Sequence, residues 1–310
     1  MAALISQTSM EAAPTDQTQT LPGMGTIAYI NESNGRDAIF VQDASGESII
    51  FNCDYENEII LTPSVSSDSE FITFLVDNGQ NQKAVHLLGP LEKVNDAWQA
   101  KDIVLISIRG GAWPVVHDEK SVYLSMPDQT ALTLGNSSNI YLVSAEEIKQ
   151  ISDNQGVASH IWPVISPQGD KIIYRVIPFS GEDSQTREAP KSVLLDLQSG
   201  QSESHFVDQY VYTEQWTNQG EILFSFKEKD QNGNRIYALY NPETKATREI
   251  YRSKSRQGSL SNQSRFLATI RPVPQGSADF DIFITDLVSQ QEINLTQTPK
   301  QSESLIGWIR

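Results

Sequence analysis

Apolar residues in this chain come in short runs with a period of two, enriched in Ile, Val, Phe and Tyr and punctuated by Ser, Asn, Asp, Gly and Pro. Alternation of this kind predicts half-buried β-strands, and the spacing of three to four that marks amphipathic helices is almost absent. Ala158 to Val176, ASHIWPVISPQGDKIIYRV, shows the unit: an apolar strand, a Ser-Pro-x-Gly turn and a second apolar strand. The one helix-like segment is Ser144 to Ile151, where Ser144 could cap and Glu147 could close a capping box. Set between strands, it amounts to a single turn at most.

The unit recurs. Taking Ile172-Ile173-Tyr174 as the anchor, equivalent triplets end at Tyr29, Phe74, Tyr123, Phe224 and Thr269, at successive steps of 45, 49, 51, 50 and 45 residues. The turns before them superpose without a gap in SVSSDSEFITF (64 to 74), VISPQGDKIIY (164 to 174) and SLSNQSRFLAT (259 to 269), and with one residue deleted in QWTNQGEILF (215 to 224). Such turns supply side-chain caps and positive φ, and predict hairpins. A third strand follows each anchor, as in Ala38 to Val41 or Asp281 to Ile284, and a shorter polar fourth closes most units, as in Glu47 to Phe51. Four antiparallel strands repeating at this period predict the blade of a β-propeller, so the expectation is all-β with six four-stranded blades. The first unit lacks a first strand, whereas Leu305 to Arg310 is a first strand with nothing after it. Trp308 aligns with Trp216. The C-terminal strand is therefore expected to join the N-terminal blade beside Thr26 to Ile30 and close the ring, removing its exposed edges.

Over about residues 25 to 310 the pattern resembles the TolB-like six-bladed propellers, built from WD-like repeats. Ile165 to Tyr174 carries the match, with Gln168 where the family usually has Asp, and Leu295-Thr296-Gln297-Thr298-Pro299 resembles its blade-end L-T-x-x-P. The expectation is a propeller on its own, without the separate N-terminal domain of TolB or the hydrolase domain of the prolyl-oligopeptidase relatives. The expected organisation is a disordered tail over 1–24 and a propeller over 25–310. The resemblance implies a periplasmic or exported protein with a non-catalytic binding or scaffold role, similar to TolB, toward a protein or peptide at one mouth of the channel.

Charge narrows the partners. With 39 acidic and 23 basic residues the chain carries −16, which repels phosphate backbones and anionic headgroups. Nucleic acid is not an expected partner, no apolar run is long enough to insert into a membrane, and a monomer is expected. Cys53 stands alone, so no intrachain disulfide is available and a small buried apolar residue is the plain reading.

Catalytic motifs are missing: there is no G-x-S-x-G, H-E-x-x-H, paired C-x-x-C or phosphate-binding loop. No catalytic residue, cofactor or metal is assigned. Asp230, Asn232 and Asn234 have calcium-loop spacing, but Arg235 occupies the glycine position, and a hairpin turn explains the same residues. A channel-metal enzyme of the lactonase or polysaccharide lyase type is the alternative, and it requires ligands converging from several inner strands. Of the four histidines, His160 is placed before an inner strand and His117 after one, toward opposite ends of the channel, with His86 and His205 away from the axis.

Trp-Pro-Val occurs twice, at Trp113 and Trp162, where inner strands three and four start. These rings either pack between blades or stand exposed at the channel mouth. In the second case they join Arg109, His160, Tyr210, Tyr212 and Glu214 as partner-binding candidates, since aromatic residues and Arg anchor interfaces. Loops before the inner strands, about 52–62, 90–112, 152–161, 207–214, 252–258 and 297–304, would share this face.

Overall fold

The computed structural model describes residues 20–80, 82–130, 137–179, 189–228, 233–273, 280–297 and 303–309. Its strands form six four-stranded antiparallel sheets. Innermost in successive blades are Ser304–Ile309, Ile59–Val65, Ala112–Asp118, Ala158–Ile165, Tyr212–Trp216 and Gly258–Leu260. Each inner strand touches the next all the way round, and the strand from the C-terminal end meets that of blade two, so the ring is closed. Ser304–Ile309 pairs antiparallel with Thr26–Ser33, as the missing first strand required.

Period-two patterning is explained by what lies on either side of each sheet. Ile27 and Tyr29 enter the core shared with blade six, while Ala28 and Ile30 enter the one shared with blade two. In the same register, Ile172 and Tyr174 face blade three and Ile173 faces blade five. Six such cores fill the six wedges between blades. Burial on both faces is why the second strands read as continuous apolar runs. At the seam, Trp308 packs on Phe266 and donates its Nε1–H to Ser259 O at 2.9 Å.

The repeated turn has one chemistry. Its first hydroxyl, on Ser66, Ser166 or Ser261, accepts from the backbone N–H five residues on, and Thr217 does so four residues on, where one residue is deleted. The fourth residue of each turn, Ser69, Gly169, Gly220 or Ser264, has positive φ and returns its N–H to the first carbonyl. This local economy is what made the repeat visible in sequence.

Two expectations are corrected, and one, the single turn at Ser144, is met. Ser144 Oγ accepts from the N–H groups of Glu146 and Glu147, the chain turns straight into the outer strand Ile148–Gln150, and no helix forms there. The supposed loop 90–112 contains a hairpin, Glu92–Val94 with Ala97–Gln99, and then the outer strand of blade two, Asp102–Ile108. That hairpin lies on blade one, where Trp98 donates to Asp43 and to Ser48. Leu21 and Met24 are buried in the core between blades six and one, so ordered packing begins before residue 25. Residues 1–19 and the Asp230–Asn232 part of the calcium-like turn lie outside the described residues.

Candidate functional site: an aromatic arc in the central channel

The inner strands of blades two, three and four share an irregularity. Leu61 pairs with Leu75 and Ser64 with Thr73, so Thr62 and Pro63 together oppose one residue, Phe74. Trp113-Pro114 and Trp162-Pro163 do the same opposite Leu124 and Tyr174. In all three the residue before proline is left-handed, with φ of 46°, 56° and 53° at Thr62, Trp113 and Trp162. A non-glycine residue there costs on the order of 1 kcal/mol or more and persists only where its surroundings hold it. Hydrogen bonds between blades hold these: Trp113 N–H donates to Thr62 Oγ1 at 2.9 Å, and Ser64 Oγ donates to Pro114 O at 2.7 Å. In blade five the extra residue is Glu214.

These bulges aim aromatic side chains at a channel cavity of about 430 Å³. Trp113 and Trp162 meet edge to face with ring centroids 5.3 Å apart, and Trp162 meets Tyr212 at 5.1 Å. Three adjacent blades thus present one aromatic arc. On the facing blades the wall is bare backbone at Gly258 and Gly307. A Cβ on Gly258 would lie 2.4 Å from the Tyr237 ring, which leaves no room for it, and one on Gly307, where φ is 149°, would lie 3.1 Å from Ser259 Oγ, a tight approach. Two other indole N–H groups are bonded, that of Trp98, outside the cavity, to Asp43 and that of Trp308, in its wall, to Ser259. Those of Trp113, Trp162 and Trp216, all in the cavity wall, have no acceptor among the described residues.

Glu214 lies in the channel wall with its side chain about 10 % exposed. Burial pushes its carboxyl up to about 7, against the opposing pull of the Ser225 hydrogen bond and the Arg235 charge. Arg235 donates to Ser225 Oγ at 2.7 Å, lies 3.7 Å from the carboxylate and stacks under Tyr212, 4.5 Å from its centroid.

The structure divides the seven sequence candidates. Trp113, Trp162, Tyr212 and Glu214 line the cavity together. The two alternatives for the Trp pair merge, because the rings pack on each other across the blade boundary and also face the channel. Tyr210 stands outside on an exposed loop, backed by the guanidinium of Arg175 at 4.7 Å. Arg109 lies in the turn after the outer strand of blade two, exchanging hydrogen bonds with Gln129, and does not line the cavity. His160 belongs to the inner strand rather than preceding it. It is buried against Tyr174 with Nδ1 2.7 Å from Ser152 Oγ, and desolvation takes its pKa down to about 4.

Sequence reading missed Arg175, which is fully buried and donates to Val211 O and Gln209 O, so that it fixes the loop carrying Tyr210. Its signal was a charge inside the apolar run KIIYRVI. Thr62 was also missed, although Thr62-Pro63 precedes Trp113-Pro114 by the same blade step that separates the two Trp-Pro pairs.

The remaining histidines have local partners: His86 with Asp102 at 2.9 Å, His205 with Tyr240 at 2.7 Å, and His117 against Tyr123. Among the described residues no three His, Cys, Asp or Glu side chains converge so as to hold a metal ion.

In fold the chain is a TolB-like six-bladed β-propeller. TolB from Acinetobacter baumannii matches over 92 % of this chain and 67 % of its own, with a TM-score of 0.64 and 14 % identity. A putative TolB from Agrobacterium tumefaciens matches over 87 % and 89 %, with a TM-score of 0.52 and 12 % identity. A prolyl endopeptidase matches over 95 % of this chain, which spans half of that protein's length, with a TM-score of 0.55 and 11 % identity. At these identities the likeness is one of fold. No protein-family model matches the sequence, and comparison with curated proteins finds no match.

Proposed function

We propose that this chain is a non-catalytic binding propeller that engages a protein or peptide partner at the aromatic end of its channel. Trp113, Trp162 and Tyr212 make the contact, Tyr210 extends it onto the rim, and His160 and Glu214 support the surrounding wall. The observation that carries this reading is the pair of unbonded indole donors beside contiguous aromatic rings in a concave site. Concave, largely apolar surfaces with a few convergent polar groups are where proteins bind ligands, and Trp and Tyr are the side chains that anchor interfaces. The strained backbone at Trp113 and Trp162 points the same way, because such conformations cluster at ligand sites. The reading carries with it a monomer in an exported, periplasmic setting.

A displayed library of random peptides tests it. Selection on the intact chain is expected to enrich binders, and Trp162→Ala, shown by circular dichroism to remain folded, is expected to lose them. Undiminished binding by that variant would contradict the assignment of the face.

A further inference from the structure

Resting on that reading, we infer that the aromatic arc recognises a proline-containing segment in the polyproline II conformation, uncharged or basic. Three modes of peptide recognition compete for such a site, and the channel discriminates among them. An amphipathic helix needs an open apolar groove with anchors spaced along it at i, i+3, i+4 and i+7, whereas this cavity is ringed by the inner strands of six blades. Strand addition needs a run of free backbone donors along an edge. The edges facing the channel are interrupted by Pro63, Pro114 and Pro163 in three successive blades, and proline has no N–H to give.

A polyproline II segment needs none of those donors. Its backbone carbonyls are unpaired and point outward, so it takes hydrogen bonds from side chains, and the indole N–H groups of Trp113 and Trp162 are unspent. The rings are also arranged for it. Interplanar angles of 72° between Trp113 and Trp162 and 47° between Trp162 and Tyr212 leave notches between successive rings. Notches accept compact pyrrolidine rings, whereas a pyranose lays its broad C–H face on an open aromatic face. The two centroid spacings, 5.3 and 5.1 Å, give an arc of about 10 Å if laid end to end. One polyproline II turn of three residues rises about 9 Å, which matches the arc. The net charge of −16 selects against acidic segments.

The test is calorimetric titration of the intact chain with a proline nonamer flanked by lysines, a glycine–serine peptide of the same length and flanks, and a linear glucose oligosaccharide. The expected result is saturable binding of the proline peptide, roughly tenfold or more tighter than either alternative. Trp113→Ala and Trp162→Ala are expected to abolish it, and Trp98→Phe, outside the channel, to leave it unchanged. Trp162→Phe keeps an aromatic ring, though a smaller one, and drops the N–H, so it should bind several-fold more weakly, a readout that survives if an Ala variant fails to fold. Equal affinity for the proline and glycine–serine peptides, or library binders that lack proline while the nonamer fails, would overturn this inference and leave the peptide-binding reading standing. Binding of the oligosaccharide alone, or of no peptide of any composition, would overturn both.

Discussion

Trp113 and Trp162 stand edge to face across a blade boundary, each in a left-handed backbone conformation that its side chain disfavours. The Trp113 bulge is tied to the neighbouring bulge of blade two by two hydrogen bonds, Trp113 N–H to Thr62 Oγ1 and Ser64 Oγ to Pro114 O. Thr62→Val would keep the β-branched shape and the backbone strain while removing the acceptor. An unpaired, partly buried N–H costs about 1–3 kcal/mol. Urea unfolding of Thr62→Val should show a loss in that range, and no loss would mean that this bond does not hold the bulge.

Gly258 faces the channel because the Tyr237 ring occupies the space where a Cβ would be. Gly258→Ala should destabilise the protein by about 1–3 kcal/mol through overpacking. Adding Tyr237→Leu should recover part of that loss, since it removes the obstructing ring. Additive losses in the double variant would contradict the steric explanation.

Closure of the ring depends on the strand Ser304–Ile309, and Trp308 is its largest buried contribution. Trp308→Ala removes a packed indole and a hydrogen bond to Ser259. A large-to-small change of this kind costs about 3–5 kcal/mol. Thermal unfolding should show a drop of several degrees, and a change under 1 °C would argue that the seam adds little.

Glu214 and His160 predict opposing pH dependences. Glu214 titrates near 4.5 when unfolded and near 7 when folded, so between those values the folded state keeps a proton that the unfolded chain releases. Its contribution therefore weakens stability as pH rises from about 4.5 to about 7. His160 titrates near 6.5 unfolded and near 4 folded, so the unfolded chain takes up a proton that the folded state refuses. Its contribution weakens stability as pH falls from about 6.5 to about 4. Each full effect is about 3 kcal/mol, and between pH 4.5 and 6.5 the two offset one another. Relative to the unaltered protein, Glu214→Gln should lose stability on acidification across that window and His160→Gln should gain it. Parallel stability profiles for all three proteins would contradict these assignments.

The blades were legible in sequence because their determinants are local. A capping hydroxyl, a positive-φ residue three positions on and an alternating strand all fall within about a dozen residues, and Ser66, Ser166 and Ser261 repeat them. The outer hairpin at 92–99 escaped because its strands are three residues long and mostly exposed, leaving little patterning to read. The site was half legible. Trp113 and Trp162 stood out as a repeated dipeptide, but their common bulge with Thr62 is visible only once the strand registers are known. His160 lies two residues from Trp162 and was grouped with it, yet it turns into the core toward Ser152. Arg175 answers to carbonyls 34 and 36 residues away, a relation no local spacing encodes.

The five tryptophans offer the most direct test of the claim that partners bind on the channel arc. In a ¹H–¹⁵N spectrum each indole N–H gives its own signal, assignable by single Trp→Phe substitutions. In the free protein, those of Trp98 and Trp308 should exchange slowly with solvent, because both are hydrogen-bonded. On titration with a peptide selected from the library, the Trp113 and Trp162 signals should move and saturate together while that of Trp98, outside the cavity, stays in place. Binding that shifts Trp98, or that leaves Trp113 and Trp162 unmoved, would contradict the account.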